Sequence, residues 1–238
     1  MTLTDNQLKS IAADVNQAEQ DQLILTKVLD AGTYYVKINA DAPFQYQQYQ
    51  FSMNSTAFVG GFTDISGHWA QGAIIDLYNR KLVSGFTDYT FRPDNSITRA
   101  EASVILVRAF RITQTSQPYF TDLPPDHWAY SSIAKAYAAG IINGYPNNTF
   151  QPDEPLTRME MAAMIDHALG IDSQQQGQSP YSDVDANFWG ADILMQLKQL
   201  GLVSGYPDGT FHPNQTATRA EFAVLIDKIL SYAADNSS

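Results

Sequence analysis

Three arginines lie inside the same four-residue motif, Thr-Arg-X-Glu, and this position suits anion binding. They are Arg99, Arg158 and Arg219. The motif is typical of a capping box, in which the threonine begins a helix and the glutamate returns to the threonine amide. An arginine at the first helical position would lie beside unpaired N–H groups and the positive end of the helix dipole, which favours an anion. The residues alone leave a second interpretation open, in which each arginine only pairs with a neighbouring carboxylate.

An aspartate and a tryptophan recur together upstream of each tetrad. The aspartates are expected to cap the first helix of each unit or the turn. Each tryptophan could stack on a flat ligand, but three equivalent tryptophans at helix starts are expected mainly in the core, with one edge reaching a groove. The aspartates are Asp64, Asp122 and Asp183, and the tryptophans are Trp69, Trp128 and Trp189.

A glycine and an aromatic residue, followed by Thr-Phe-X-Pro, lie between each tryptophan and the next tetrad. Each glycine is predicted to be the left-handed residue that ends a first helix, or to let a ligand approach the backbone closely. The turn-rich loop that follows leads to the helix begun by the capping box. The glycines are Gly85, Gly144 and Gly205, and their aromatic neighbours are Phe86, Tyr145 and Tyr206.

The spacing of these landmarks indicates one unit repeated three times. Successive tryptophans are 59 and 61 residues apart, and the capping threonines have the same two spacings. Each unit is predicted to be helix, loop, helix, because apolar residues recur at helical intervals. One such pair cannot bury its own apolar face, so the three units are expected to pack together. In the first unit the expected faces are Trp69, Ala70, Ala73, Ile74, Leu77 and Tyr78, then Ala102, Ile105, Leu106 and Ala109.

The segment before the repeats has a different pattern. Alternating apolar residues predict strands around residues 34–38 and 49–53, with a further strand at 23–28. Residues 1–20 are polar with sparse apolar side chains, which favours a frayed helix. The linkers at 111–118 and 172–180 are polar and are expected to be surface loops.

Composition excludes several classes of protein. The 238 residues include 25 acidic and 14 basic side chains, which give a formal net charge of −11. This charge argues against a nucleic-acid partner. The lack of cysteine excludes a disulfide scaffold, and the histidines lack the spacing of a metal site, so no cofactor is predicted. No apolar stretch is long enough to span a membrane, and the first residues do not have the pattern of a signal peptide.

The motifs Phe-X-Asp-X(4–5)-Trp-Ala, Gly-Tyr-Pro-Asp-Gly-Thr-Phe-X-Pro and Thr-Arg-Ala-Glu together resemble those of S-layer homology (SLH) modules. The resemblance runs from residue 62 to about residue 232. It implies a mainly α fold of three helix-loop-helix repeats in a pseudo-trimeric prism, preceded here by a short β-rich segment. The predicted domains are 1–61, then module 1 (62–119), module 2 (120–180) and module 3 (181–238). Residues 29–38 and the following strand also resemble the end of a bacterial pre-peptidase C-terminal-type β-sandwich.

The resemblance implies a non-catalytic anchor of the bacterial cell envelope. In this family the grooves between modules bind cell-wall polysaccharide, often with a pyruvate ketal, and so hold surface proteins without a covalent bond. The expected partner is polysaccharide attached to peptidoglycan, and the chain would be a monomer with internal pseudo-three-fold symmetry, cut from a longer exported protein. The implied glycan ligands are Arg99, Arg158, Arg219, Asp64, Asp122, Asp183, Trp69, Trp128, Trp189, Gly85, Gly144, Gly205, Tyr145 and Tyr206.

The modules also differ from one another. Module 1 has Phe86 where the others begin a Tyr-Pro turn, and module 3 has Phe188 and Gly190 on either side of its tryptophan where the others have His and Ala. Equal affinity of the three grooves is therefore not expected. The alternative function is a protein–protein or self-assembly module without glycan binding. An enzyme is disfavoured, because glycoside hydrolysis needs a carboxylate pair across a cleft and the repeated acids already have capping roles.

Overall fold

A computed structural model describes residues 2–4, 7, 9–13, 35–37, 59–171 and 179–235. The chain divides into two compact units, Met1–Asn54 and Ser55–Ser238. The borders between the three modules stay a prediction, and their names are kept below. In the described part of the chain no helix is long and apolar enough to cross a membrane.

The described residues of the N-terminal unit form a small antiparallel sheet. Its strands are β1 (Thr2–Thr4), β2 (Ser10–Ala13) and β3 (Tyr35–Lys37), in the order β2-β1-β3. The strand expected around residues 34–38 is confirmed. The helix expected over residues 1–20 is wrong at β1 and β2, because β1 alternates polar and apolar residues and pairs its backbone on both edges. The strands expected at 23–28 and 49–53 lie outside the described residues.

The described part of the second unit contains two helices in each module, which confirms the mainly α fold of three helix-loop-helix repeats. The first helices are short and the second helices are longer. The first helices are α1 (Gln71–Asn79), α3 (Tyr130–Ala138) and α5 (Ala191–Gln199), and the second helices are α2 (Arg99–Ala109), α4 (Arg158–Leu169) and α6 (Arg219–Asp235).

Each second helix begins at a complete capping box, as predicted. The Thr98 hydroxyl accepts the Glu101 N–H at 3.2 Å, and the Thr98 N–H donates to the Glu101 carboxylate at 3.0 Å. Modules 2 and 3 repeat both bonds. These reciprocal bonds satisfy two backbone donors within four residues of chain, so the start of each second helix is determined locally.

The first helices end earlier than the glycines. Helix α1 ends at Asn79, and the left-handed residue that follows is Lys81, with φ of 61°. Gly140 and Gly201 take the same place in the other modules. The Lys81 N–H donates to the Tyr78 carbonyl at 2.9 Å and so closes the last turn. The prediction that the helices end at Gly85, Gly144 and Gly205 is therefore wrong.

The second helices form the inner layer of the unit. Helix α2 is buried from Arg99 through Val107 with the exception of Glu101, which is wider than the predicted stripe and typical of a helix enclosed on all sides. Its buried Ser103 hydroxyl donates to the Arg99 carbonyl at 2.8 Å. The first helices cover this layer with one face only, so Tyr78, expected on the apolar face of α1, is 41% exposed.

Each second helix packs against the first helix of the next module, and the cycle closes. Helix α2 contacts α3, α4 contacts α5, and α6 contacts α1. The loops before the second helices form a ring of three hydrogen bonds, in which the N–H of Leu156 donates to Ile97, that of Ala217 to Leu156, and that of Ile97 to Ala217, at 2.8–3.0 Å. All three residues are fully buried. Each repeat arginine lies two residues after a member of this ring. The ring therefore fixes the position of the arginine backbone at the start of each second helix.

Candidate functional site

The three aspartates hold the loop of their own module. Asp64 accepts the Phe91 N–H through one carboxylate oxygen (2.8 Å) and the Arg92 N–H through the other (2.7 Å). Arg92 has φ of 58°, a left-handed conformation that residues with side chains rarely adopt, so the two bonds stabilise a strained turn. Asp122 and Asp183 repeat both bonds. Capping of the turn is confirmed, and capping of the first helix is wrong because both oxygens are used by the loop.

In module 3 these loop bonds favour the ionised form of the aspartate. Burial pushes the pKa of Asp183 upward, but the N–H groups of Phe211 and His212 outweigh this effect and hold the pKa below its ordinary value. A carboxylate used in this way orders the loop that carries the glycine and the aromatic residue of its module. The main role of the aspartates is therefore to order the loop, and a ligand could use only the lone pairs that the loop amides leave free.

Each repeat glycine leaves room for an aromatic ring. A Cβ on Gly85 would lie 2.4 Å from a ring carbon of Phe62 and 2.4 Å from the Thr90 carbonyl oxygen. Gly144 and Gly205 are equally confined. Glycine is needed here because the loop backbone crosses directly over the ring.

The three tryptophans lie on the surface, so the expectation that they are mainly core residues is wrong. Trp69, Trp128 and Trp189 are 64%, 63% and 62% exposed. In module 1 the next residue, Ala70, fills the core position instead, and its N–H donates to the imidazole of His68 at 3.1 Å. The turn is thus held by backbone and histidine, which leaves the indole available for a flat ligand.

The three arginines are buried at the contacts between modules, with 6–7% of their surface exposed. The Nε of Arg158 donates to the Phe211 carbonyl of module 3 at 2.8 Å, and its Nη1 donates to the Glu221 carboxylate at 2.5 Å. Arg99 pairs in the same way with module 2, and Arg219 with module 1. The arginines therefore join each module to the next around the closed cycle.

The helix ends beside the arginines are already occupied. The Arg158 N–H donates to the Gln215 carbonyl at 2.8 Å, and the Met159 N–H donates to the Pro213 carbonyl at 3.0 Å. The first two amides of α2 and α6 donate to the following module in the same way. An anion site built on unpaired helix N–H groups is therefore wrong, because a loop of the neighbouring module takes those groups.

The guanidinium groups lie over the aromatic rings of the neighbouring loop. The Cζ of Arg158 is 5.1 Å from the centre of the Tyr206 ring and 4.6 Å from that of Phe211. Arg99 lies over Tyr145 in the same manner. Such stacking favours a cation that has lost part of its hydration, so the loop aromatics help to hold the arginines in place.

A cavity of about 250 Å³ opens beside Arg158. It brings together Trp69 of module 1, Arg158 of module 2, and Gly205 and Tyr206 of module 3. Four of the residues implied by the sequence thus meet in one groove. None of the three aspartates is among the described residues that line it. Its apolar wall includes Met161, Leu202, Val203 and Leu225.

Lys228 also lines this cavity, and sequence reasoning missed it. It lies ten residues after the cap threonine of module 3, and the same offset in the other modules gives Arg108 and His167. A basic residue therefore recurs at this position, although its type differs from module to module. Aligning the three repeats beyond their motifs would have revealed the signal.

Comparison with known proteins gives matches over the same repeats. A family model described as the S-layer homology domain matches residues 61–103, 119–162 and 180–223. Cell surface glycoprotein 1 of Acetivibrio thermocellus is 36% identical over 64% of this chain and 7% of its own length. The amylopullulanase of Thermoanaerobacterium thermosulfurigenes is 31% identical over 85% of this chain and 11% of its own length. The cellulosome-anchoring protein of A. thermocellus is 31% identical over 62% of this chain and 35% of its own length.

These curated relatives are much longer than the matched region, since the chain spans from 7% to 35% of their lengths. The three family matches together cover more than half of the chain, and each includes the tryptophan, the glycine-aromatic loop and the capping tetrad of one module. The chain belongs to the S-layer homology domain family.

Proposed function

We propose that this chain is a non-catalytic anchor that binds an anionic cell-wall polysaccharide in the grooves between its modules. The observation that carries the proposal is the cavity lined by Arg158, Lys228 and the exposed Trp69, whose described lining residues include one carboxylate, that of Glu221. Two cations in one groove are notable on a protein with a net charge of −11. Membership of the SLH family supports an anchoring role and a location in the cell envelope.

In this proposal Arg158 binds the acidic group of the glycan. Its bonds to Phe211 and Glu221 use Nε and one N–H of Nη1, whereas a guanidinium has more donors than these two bonds use. The planar arrangement of the donors fits a carboxylate, such as that of a pyruvate ketal. Trp69 would stack on the face of a sugar ring, and Tyr206 and Gly205 would form the wall beside it.

The other two grooves are proposed to follow the same plan, since each repeat arginine has the same partners in the next module. The aspartates contribute mainly by ordering the loops, with direct contact to sugar hydroxyls through their remaining lone pairs. The proposed ligands of these two grooves are Arg99, Tyr145, Gly144 and Trp189 in one, and Arg219, Gly85 and Trp128 in the other, and the proposed loop aspartates are Asp64, Asp122 and Asp183.

Charge makes the proposed attraction local. A protein with an excess of acidic groups repels an anionic polymer at long range, and only contacts inside the grooves can offset this repulsion. Surface charges are screened over about 10 Å at 0.1 M salt, so screening also weakens the repulsion. We therefore expect binding to tolerate moderate salt better than that of a polybasic wall binder.

The match to a small part of longer proteins supports an anchor that belongs to a larger exported protein, rather than a catalytic part. The cyclic hydrogen bonds of Ile97, Leu156 and Ala217 support a monomer with internal pseudo-three-fold symmetry. In such a monomer each module uses its neighbours to complete its own groove.

Sedimentation with protease-treated cell-wall sacculi tests the proposal. The variant replaces the three exposed tryptophans together, as Trp69→Ala, Trp128→Ala and Trp189→Ala, because their side chains lie outside the core. We expect the wild type to sediment with intact sacculi and not with acid-treated sacculi, from which polysaccharide and ketals have been removed. The variant should lose at least about tenfold in affinity, as expected when several aromatic contacts are removed.

Tyr119→Ala provides the matched control, because Tyr119 is 81% exposed and does not line the cavity among the described residues. It should bind as the wild type does. If the wild type sediments with neither preparation and instead self-associates as its concentration rises, the protein–protein module replaces the glycan anchor.

A further inference from the structure

We propose that the basic residue ten positions after each cap threonine sets the affinity of its groove, and that the three grooves are therefore unequal. These residues, the outer basic residues, are Arg108, His167 and Lys228. The inference rests on the proposed glycan function, and it identifies the residues that make the affinities of the three grooves differ. The grooves with Arg108 and Lys228 bind an anionic group at neutral pH, whereas the groove with His167 binds it weakly.

The buried arginines do not give their grooves a net positive charge. Arg158 forms an ion pair with Glu221 at 2.5 Å, and Arg219 forms one with Glu101 at 2.6 Å. The third arginine is also paired with a glutamate of the next module. Each pair is neutral as a unit, so the attraction of a groove for an anion depends on an additional cation.

Lys228 supplies that cation in the groove beside Arg158. It is exposed and lines the same cavity as the arginine. Within the described part of the chain it has no hydrogen-bond or ion-pair partner. Its ammonium group is therefore an uncompensated positive charge at the mouth of the groove, and it can bind an anion without breaking an existing bond.

Arg108 and His167 occupy the corresponding positions in the other grooves. The Nη1 of Arg108 donates to the Leu82 carbonyl at 3.4 Å, and the Nδ1 of His167 lies 3.3 Å from the Ile141 carbonyl oxygen. Leu82 and Ile141 are the repeat equivalents of Leu202, which lines the cavity in module 3. Arg108 and His167 therefore lie beside the residues equivalent to the cavity wall that Lys228 flanks in module 3.

The chemistry of the three side chains differs. Arginine and lysine carry a full charge at neutral pH, whereas a histidine need not. Because a carbonyl oxygen can only accept, the bond of His167 to Ile141 places a hydrogen on Nδ1. The other ring nitrogen of the neutral imidazole is then an acceptor, which repels an anionic oxygen instead of attracting it.

Isothermal titration calorimetry tests this inference with short wall-polysaccharide fragments, released from sacculi by digestion of the peptidoglycan. The wild type should show two sites of similar affinity and a third that is at least about tenfold weaker, as expected for one missing charge-assisted contact. Lys228→Ala should remove one of the two stronger sites. His167→Lys should strengthen the third site by a similar factor, and this gain cannot arise from misfolding.

Lys198→Gln is the control for the loss of one positive charge. Lys198 is exposed, and its Nζ donates to the Pro180 carbonyl at 3.1 Å. The Lys198→Gln variant should keep the affinity of every site within about twofold of the wild type, as expected for a screened surface charge. If Lys228→Ala and His167→Lys both bind as the wild type does, this inference is overturned while the glycan function stands. If the wild type itself binds neither fragments nor sacculi, both are overturned.

Discussion

The joints between modules and the mouths of the grooves use polar side chains in opposite ways. At a joint, Arg158 is buried and bonded to a carbonyl and a carboxylate of the next module. At the mouth of the same groove, Trp69 and Lys228 are exposed. The repeated arginine thus joins two modules, whereas the repeated tryptophan and a lysine outside the motifs lie exposed at the groove. A repeated charged residue is therefore not by itself a ligand-binding residue.

Breaking a joint should have the largest effect. Arg158→Ala leaves the Glu221 carboxylate without its partner in a buried contact, which should cost about 3–5 kcal/mol in the free energy of unfolding. Urea denaturation followed by circular dichroism measures this loss. Lys228→Ala removes a cation at the mouth of the same groove and should change that free energy by less than about 0.5 kcal/mol. Equal destabilisation by the two variants would remove the distinction between joint and mouth.

A second test compares two exposed glycines, one whose backbone lies against an aromatic ring and one with open space around it. A Cβ on Gly144 would lie 2.3 Å from the Phe120 ring and 2.9 Å from the Thr149 carbonyl oxygen. Gly144→Ala should therefore cost about 1–3 kcal/mol in unfolding free energy, as overpacking usually does. Gly72 of α1 has no atom within 4 Å of the same position, and Gly72→Ala should stabilise the helix by up to about 1 kcal/mol. Chemical denaturation of both variants decides whether the close approach at Gly144 is the reason for glycine there.

The sequence predicted those features whose causes lie close together along the chain. The capping box of Thr98 and Glu101 depends on four consecutive residues, so it was predicted correctly. The burial of Arg158 and the exposure of Trp69 depend on how one module meets the next, which no local pattern contains. Asp64 was expected to cap either the first helix or the turn, and the sequence could not decide between them because the amides that it binds lie 27 and 28 residues away.

The candidate site was predicted in the same uneven way. Trp69, Gly205 and Tyr206 were implied by their motifs, and they do meet Arg158 in one cavity. Lys228 belongs to no motif, because a single lysine on a helix is indistinguishable from an ordinary surface charge. An alignment of the three repeats shows that a basic residue recurs at its position, and the fold shows that Lys228 lines the same cavity as Arg158.

The joint between modules 3 and 1 contains a pair of carboxyl groups that should make its stability depend on pH. Asp227 of α6 lies near Asp76 of α1, and burial together with this neighbouring carboxyl raises the pKa of Asp227 above its ordinary value. A carboxyl whose pKa is higher in the folded than in the unfolded protein stabilises the fold at low pH, and this stability is lost as the pH rises through the raised value.

Asp227→Asn should therefore raise the free energy of unfolding at pH 7, by less than the loss at Gly144. It should leave that free energy nearly unchanged below the ordinary pKa of about 4. Urea denaturation at both pH values provides the measurement, with the exposed Asp126→Asn as a control that should change little at either. A variant that is less stable than the wild type at pH 7 would contradict a repulsive pair at this joint.

Two tyrosine hydroxyl groups allow the contact between two modules to be compared with the interior of one module, and the expected effects are the smallest of the series. Tyr145 donates to the Glu160 carboxylate at 3.0 Å, and that carboxylate lies 3.6 Å from Arg99, whereas the other two ion pairs measure 2.5 and 2.6 Å. The Tyr145 hydroxyl thus shares the glutamate with the arginine at this joint. The buried Tyr181 hydroxyl has no hydrogen-bond partner in the described part of the chain.

The same substitution should therefore have opposite signs at the two positions. Tyr145→Phe removes a bond to a charged acceptor at a joint and should lower the free energy of unfolding by about 0.5–1 kcal/mol. Tyr181→Phe removes an unsatisfied buried hydroxyl, at a position where modules 1 and 2 have Phe62 and Phe120, and should raise it by up to about 1 kcal/mol. Parallel urea titrations measure both changes. A loss at Tyr181 equal to that at Tyr145 would show that its hydroxyl is bonded, and that joint and interior do not differ at this level.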